Sequence, residues 1–299
     1  MKANIINLTA QQEGARLDKY VGDNSIDLSR SLVKELIKRE LVKVNGKAVK
    51  PSLKLAIGDT ITITVPPEET TTLQAEAIPI SIIYEDEDLM VVDKPPFLTV
   101  HPAPGHKNHT LVNALLSHFP QLPDSGDRLR PGIVHRLDKD TSGLMLVAKN
   151  RVALADLQRQ FKNRTVKKVY LVLVKGRISP LVGTIDAPIG RDHYQRQRMS
   201  ISNSGRNALT DYRVLRYVGG NSLLEVNIKT GRTHQIRVHL GAIGFPVLGD
   251  ATYGVKVPQL KRQFVHAHQL TFKLPSSGQT HCFTSELPAD LAQVLPLLA

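Results

Sequence analysis

The sequence predicts an α+β protein in two parts, a small αβ module followed by a larger domain built on a large mixed, mostly antiparallel sheet. Three observations carry that expectation. At 299 residues the chain exceeds what one hydrophobic core usually supports. Pro66 to Thr72 is stiff, polar and without apolar periodicity, the profile of a connecting segment. Beyond it the apolar residues come as short runs, Leu89 to Val92, Gly143 to Ala148, Val169 to Val174 and Leu223 to Ile228, with a few helical stretches between them. The boundaries read as a first domain over 1–66, a linker over 67–78 and a second domain over 79–299.

Within the first part, Ser29 suits a helix N-cap, and Leu32, Leu36 and Ile37 form the inward face of the helix it opens. Arg30, Lys34 and Lys38 fall at i, i+4 and i+8, which lines three cations along one outer stripe. Leu41 to Val44, the turn pair Asn45-Gly46 and Lys47 to Val49 read as a short hairpin. Gly58-Asp59 then turns into Thr60 to Val65, an alternating strand.

Composition narrows the partners. Thirty-nine Lys+Arg against 27 Asp+Glu give a net charge of +12, a field that attracts polyanions, with nucleic acid the leading class. Residues 1–65 hold eleven Lys+Arg against seven Asp+Glu, much of that charge on the helix and hairpin. A stripe of this kind suits phosphate contacts, although an isolated cationic helix face is more often simply solvated. The single cysteine, Cys282, excludes an intramolecular disulfide, a Cys-rich zinc site and an iron–sulfur cluster. With no signal-peptide profile and no long apolar run, the chain reads as soluble, cytoplasmic and free of membrane. GxGxxG, GxxxxGK[ST] and HExxH are all missing, which argues against dinucleotide, P-loop and zincin sites.

Three segments concentrate chemistry. Arg128 to Gly143 sets Asp138 among cations in a loop ahead of an apolar strand, where a carboxylate can serve as acid or nucleophile. The local pattern alone fits better an Asp138 or Asp140 that caps a turn and pairs with the arginines. In Thr230 to Leu240, Thr233 suits an N-cap and Ile236, Leu240 and Ile243 one helix face ending at Gly244, so that His234 and Arg237 share a face near the helix start. His234 and His239 are five apart, diverge around the helix and have no carboxylate beside them, so structural histidines fit better than metal ligands. Val166 to Val174 is a strand with a basic start and one aromatic, Tyr170, which by itself reads as a core ring. His101, His106 and His109 read as loop histidines.

HRLDKDTSG, KVYLVLV and TGRTHQIRVHL with GFPVLGDATYG resemble the signature blocks of the RluA/RluC/RluD family of pseudouridine synthases. DKPPFLTVHPAPGHKNHTLVNALL and RQFVHAHQLTF are also similar to that family, so the likeness spans roughly residues 80 to 295. RLDKY, SRSLVKELI and VKVNGKAVKPSLKLAIGD resemble the S4 RNA-binding module. The resemblance implies cofactor-free isomerisation of uridine, with Asp138 as the catalytic carboxylate and Arg237 as its ion-pair partner. It implies that Tyr170 stacks on the target base and accepts the C5 proton, and that Arg136 fills the stack the base vacates. Arg30, Lys34, Lys38, Arg232 and His234 become RNA-binding candidates, and no metal is expected. The block around Asp138 is closest to the RluD-like branch, whose substrate is large-subunit (23S) ribosomal RNA, free or in the pre-50S particle, at loop uridines of helix 69. An RluC-like synthase for other sites, or a non-catalytic S4-type ribosome-associated factor, are the alternatives, and a monomer is expected.

Overall fold

The computed structural model describes residues 4–25, 28, 30–65, 73–102, 108–127, 129–192, 194–195 and 198–298, and for residues 30 and 31 the backbone alone. It divides into two units, Met1–Thr72 and Leu73–Ala299. Residues 73–78, placed in the linker by the sequence reading, are docked on the second unit. Leu73 and Ile78 pack on its core, and Asn113 binds the Gln74 carbonyl through Nδ2 at 2.7 Å.

In the first unit, β1 (Asn4–Thr9), α1 (Leu17–Asn24), α2 (Arg30–Lys38), β2 (Val42–Val44), β3 (Lys47–Ala48) and β4 (Thr60–Val65) form two helices and an antiparallel sheet in the order β1-β4-β2-β3. The alternation of β4 buries Ile61 and Ile63, each contributing about 1.5–3 kcal/mol by leaving water. Asn45 and Gly46 both have positive φ, 52° and 80°, the turn that joins two twisted strands through two residues. The inward stripe of α2 is Val33, Leu36 and Ile37, while Leu32, expected inside, is 36 % exposed. At about 100° per residue the stripe centres on Val33, which leaves Leu32 on its margin. The expected Ser29 cap lies outside the described residues.

The second unit continues with β5 (Ser81–Glu85), β6 (Leu89–Lys94), α3 (Leu111–His118), β7 (Ser142–Ala148), α4 (Arg151–Lys162), β8 (Lys167–Lys175) and β9 (Val182–Asp186). There follow β10 (Ile189–Arg191), β11 (Met199–Ile201), β12 (Leu209–Val218), β13 (Asn221–Ile228), α5 (Gln235–Ala242), β14 (Val265–Lys273), β15 (Thr280–Thr284), α6 (Ala289–Ala292) and α7 (Val294–Leu297). Among the described residues nine strands form one sheet, β5-β6-β7-β14-β8-β13-β12-β9 with β15 on β14, and β10 and β11 make a separate ribbon. All its pairings are antiparallel except β7 with β14.

Every residue of β7 is buried, because both of its faces are covered. Met145 and Val147 join the main core, and Leu144, Leu146 and Ala148 pack with Ala153, Leu154 and Leu157 of α4 on the other side. Gly143 sits at φ +113°, and a side chain there would run into the Ala267 backbone across the parallel pair. That close approach brings β7, β14 and β8 together, and with them the loop before β7 and the middle of β8. Among the described residues no helix is long and apolar enough to cross a membrane.

Candidate active site

The loop carrying Asp138 is pinned from several directions. Leu137 is buried in the main core. His135 accepts the Leu146 N–H at Nε2 (2.9 Å) and stacks on Phe161, with centroids 4.7 Å apart. Burial drops the His135 pKa to about 3, so the ring is a neutral acceptor that takes the place of a strand partner. Lys94, fully buried at the end of β6, donates to the carbonyls of Pro95, Leu98 and Lys139 at 2.7, 3.0 and 3.1 Å. Arg262, buried and paired with Asp290, donates to the Asp140 carbonyl (3.0 Å) and to Ser142 Oγ (3.1 Å). Two basic side chains thus hold the loop by its backbone while Asp138 stands at its tip, one-fifth exposed.

Arg237 Nη1 donates to Asp138 Oδ2 at 3.0 Å, and the other edge of the guanidinium grips Asp250 in a two-point pair of 2.6 and 2.9 Å. Asp250 is fully buried and also accepts the N–H groups of Thr252 and Tyr253. Burial alone would raise the Asp250 carboxyl, but Arg237 and the two N–H groups hold it below the usual carboxylate range. Burial likewise opposes the Arg237 charge, which Asp250 and Asp138 more than restore. Arg237 is therefore fixed in rotation by Asp250 and presents one N–H to Asp138. Among the described residues Asp138 Oδ1 has no hydrogen-bond donor, so one carboxylate oxygen is held and the other faces the cleft.

The α5 N-cap is His234, in the left-handed region at φ 56°, and not Thr233 as the sequence suggested. The preceding loop is organised by Gln235, which takes the Arg232 N–H and Thr230 hydroxyl at Oε1 and donates to Leu209 O and Thr210 Oγ1. No side chain caps α5, and the backbone turns through His234 into the helix. His234 Nδ1 is hydrogen-bonded to Tyr253 Oη at 2.8 Å, and the same oxygen accepts the Met199 N–H at 2.7 Å. His234 Nε2 lies 4.0 Å from Asp138 Oδ2. Burial lowers the His234 pKa against the pull of Asp138. His239 is buried on Thr210 Oγ1 and the Ala187 carbonyl and serves the fold.

Asp138, Tyr170, Arg237, Arg136, Arg232 and His234 all line one open cleft. Tyr170 is 6 % exposed, and burial, then Asp138, push its phenol above the ordinary range. Arg136 is exposed on the rim, and Arg232 is anchored through Nε to the Asn207 carbonyl at 3.0 Å. In the first unit Lys34 and Lys38 are exposed, but Lys34 Nζ lies 3.4 Å from the buried Asp18, so its charge is partly used within the fold. The Arg30 side chain and His106 lie outside the described residues.

Sequence reasoning missed Asp250, Lys94, Gln235 and Arg262. Asp250 lay in the quoted GFPVLGDATYG block, where a carboxylate between glycine and alanine was a usable signal.

A carboxylate with one oxygen held by a rigid arginine, beside a buried aromatic ring and the exposed Arg136, is equipped to act on a planar base carried by a polyanion. Residues 88–242 match the RNA pseudouridylate synthase family and residues 15–61 the S4 domain. The chain is 45 % identical over 295 residues to YlyB of Bacillus subtilis, an RNA pseudouridine synthase, covering 98 % of this chain and 97 % of that one. It is 43 % identical to the ribosomal large subunit pseudouridine synthase D of Nitrosomonas europaea, covering 98 % and 87 %. The structure of human RNA pseudouridylate synthase domain containing 1 superposes with a TM-score of 0.58 at 32 % identity, over 72 % of this chain and 86 % of that one. The chain belongs to the RNA pseudouridylate synthase family and is an isomerase with an S4 domain ahead of its catalytic domain.

Proposed function

We propose that this enzyme converts uridine to pseudouridine in large-subunit (23S) ribosomal RNA, at loop uridines of helix 69, working in the cytoplasm as a monomer on free RNA or the pre-50S particle. The observation that carries the reading is the shared cleft of Asp138, Tyr170 and Arg237. The ribosomal target rests on full-length similarity to relatives named ribosomal large subunit pseudouridine synthase D, at 39 to 43 % identity. Loop uridines are partly unstacked already, so extruding one costs less than in a duplex.

Asp138 acts on the extruded nucleotide while the N1–C1′ bond breaks, the freed uracil turns in place, and C5 joins C1′. The C5 proton then leaves and N1 ends protonated, so the reaction is an isomerisation with no other reactant. Oδ1 is the oxygen available for attack or for stabilising positive charge on the sugar, and Arg237 keeps the carboxylate aligned. Tyr170 stacks on the uracil, worth about 1–3 kcal/mol in single-strand binders. Arg136 on the rim fills the vacated stack, and Arg232 and His234 hold the nucleotide from the α5 side.

The test is carbodiimide adduct mapping of ribosomal RNA by primer extension after incubation with purified protein and no cofactor. Stops are expected at helix 69 loop uridines with wild type and none with Asp138→Asn, whose release of tritium from C5-labelled uridine drops to background. Stops at other large-subunit sites would make the enzyme RluC-like in specificity. Unimpaired tritium release by Asp138→Asn would remove Asp138 from the chemistry, and no release by wild type on any RNA would favour a non-catalytic binding factor.

A further inference from the structure

A second cleft, of about 930 Å³, adjoins the first and shares Arg136, Tyr170 and Arg232 with it. Six cations line it, Arg136, Lys162, Arg164, Lys168, Lys229 and Arg232, and no carboxylate does. Lys229 has an outside partner, Asp211 at 3.5 Å. Lys168 has none among the described residues. It is 6 % exposed, it pairs with no carboxylate and no carbonyl, and its ammonium lies over the Phe161 ring, 5.6 Å from the centroid. The Lys168 stem is buried, but Nζ is not fully enclosed and opens on the cleft. Lys94, by contrast, has three carbonyls around one buried ammonium in this same domain. Burial, with Lys229 and Arg164 nearby, lowers the Lys168 pKa to about 8, so its surroundings disfavour its charge.

The second feature is Arg164. It closes α4 in the left-handed region at φ 58°, with the Thr165 N–H bonded to the Gln160 carbonyl at 3.0 Å. Glycine is the usual residue at that position, and a side chain there carries a backbone cost. The chain bears that cost and gains a cation on the cleft wall.

We propose that this second cleft binds a backbone phosphate of the RNA strand flanking the extruded uridine, with Lys168 as its buried contact and Lys162, Arg164 and Lys229 around it. The inference rests on the pseudouridine synthase reading. Arg136 and Tyr170 border both clefts, so a strand whose base enters beside Asp138 can continue along the basic one. A phosphate there supplies the countercharge that Lys168 lacks and gains a charge-assisted hydrogen bond in a partly dry site.

Lys168→Met keeps a stem over Phe161 and removes the charge. Binding is measured in Asp138→Asn protein, to prevent turnover, on an RNA hairpin from which the wild-type chain releases tritium. The Lys168→Met change is expected to weaken Kd about tenfold and to reduce the slope of log Kd against log salt by about 0.7, the value for one single-strand phosphate. Uncharged methylphosphonates are then introduced one at a time along the strand flanking the uridine. One position should reproduce the loss with Lys168 present and cost nothing further in Lys168→Met, while Lys168→Arg keeps the affinity. Unchanged Kd and salt slope in Lys168→Met, or a methylphosphonate scan in which no flanking phosphate matters to the Lys168-containing protein, would overturn the proposal. Either result leaves tritium release by wild type standing, so failure of the phosphate site is separable from failure of the synthase reading.

Discussion

Two buried cations flank Tyr170, and they are treated in opposite ways. Arg237, on the Asp138 side, is matched inside the chain, by two bonds to Asp250 and one to Asp138. Lys168, on the other side, meets an aromatic ring and other cations and has no internal acceptor among the described residues. A cation that positions a reacting group has to be fixed before substrate arrives, and internal carboxylates do that. A cation meant for a ligand's charge has to be left unmatched, and the fold bears the burial cost until the ligand comes. The local balance of charge thus separates positioning from binding.

The largest expected effect comes from removing the internal match. Asp250→Asn leaves Arg237 buried with half its grip, and breaking such a pair costs about 3–5 kcal/mol of stability. For a domain of this size that is a fall in Tm of about 10 °C. Turnover should drop about a hundredfold, because the N–H aimed at Asp138 Oδ2 loses its brace. Tritium release at saturating RNA and a melting curve check both. If Asp250→Asn melts early yet turns over normally, Asp250 supports the fold and not the carboxylate.

The unmatched lysine should show the opposite behaviour with pH. Lys168 titrates at about 8 in the fold against an ordinary 10.5, with Arg164 and Lys229 the cations nearest to it and His135 a neutral ring on the same cleft. Below pH 8 both folded and unfolded chains carry the charge, and the folded one bears the full burial penalty. Between about 8 and 10.5 the folded chain sheds that proton while the unfolded chain keeps it, so stability rises across the window. Wild type should therefore gain about 1–3 kcal/mol on Lys168→Met over that range. Parallel denaturant titrations of the two proteins at pH 7.5 and 10 check this, and parallel curves would place Lys168 in better-solvated surroundings.

The contrast between the two cations also explains what could be read from the sequence. The blocks around Asp138, Tyr170 and Arg237 stood out because each packs chemistry into a few adjacent residues. The strands did too, because Thr60 to Val65 alternates and Leu144 to Ala148 is buried on both faces. Asp250 is thirteen residues beyond Arg237, across a turn, and only folding shows that their side chains meet. Lys168 read as the basic start of a strand because sequence does not reveal which cation lacks a partner. Leu32 and Thr233 were misplaced by about a quarter turn and one residue, since a stripe centre and a helix start depend on packing and on the side chain of Gln235.

The smallest expected effect concerns the ring that borders both clefts. Tyr170 is shared by the two, and its phenol is held protonated by burial and by Asp138. A protonated phenol can donate a hydrogen bond but cannot take the C5 proton without first giving up its own, into a region that already holds a carboxylate. Stacking needs only the ring. Tyr170→Phe should then leave RNA affinity unchanged and reduce single-turnover tritium release less than tenfold, whereas Tyr170→Ala loses the stacking contribution of about 1–3 kcal/mol per base. General-base catalysis contributes about 10²- to 10⁴-fold, so a loss of that size in Tyr170→Phe with Kd intact would assign the proton to the phenol after all. The comparison is sharpest in single turnover, where product release cannot hide a change in the chemical step.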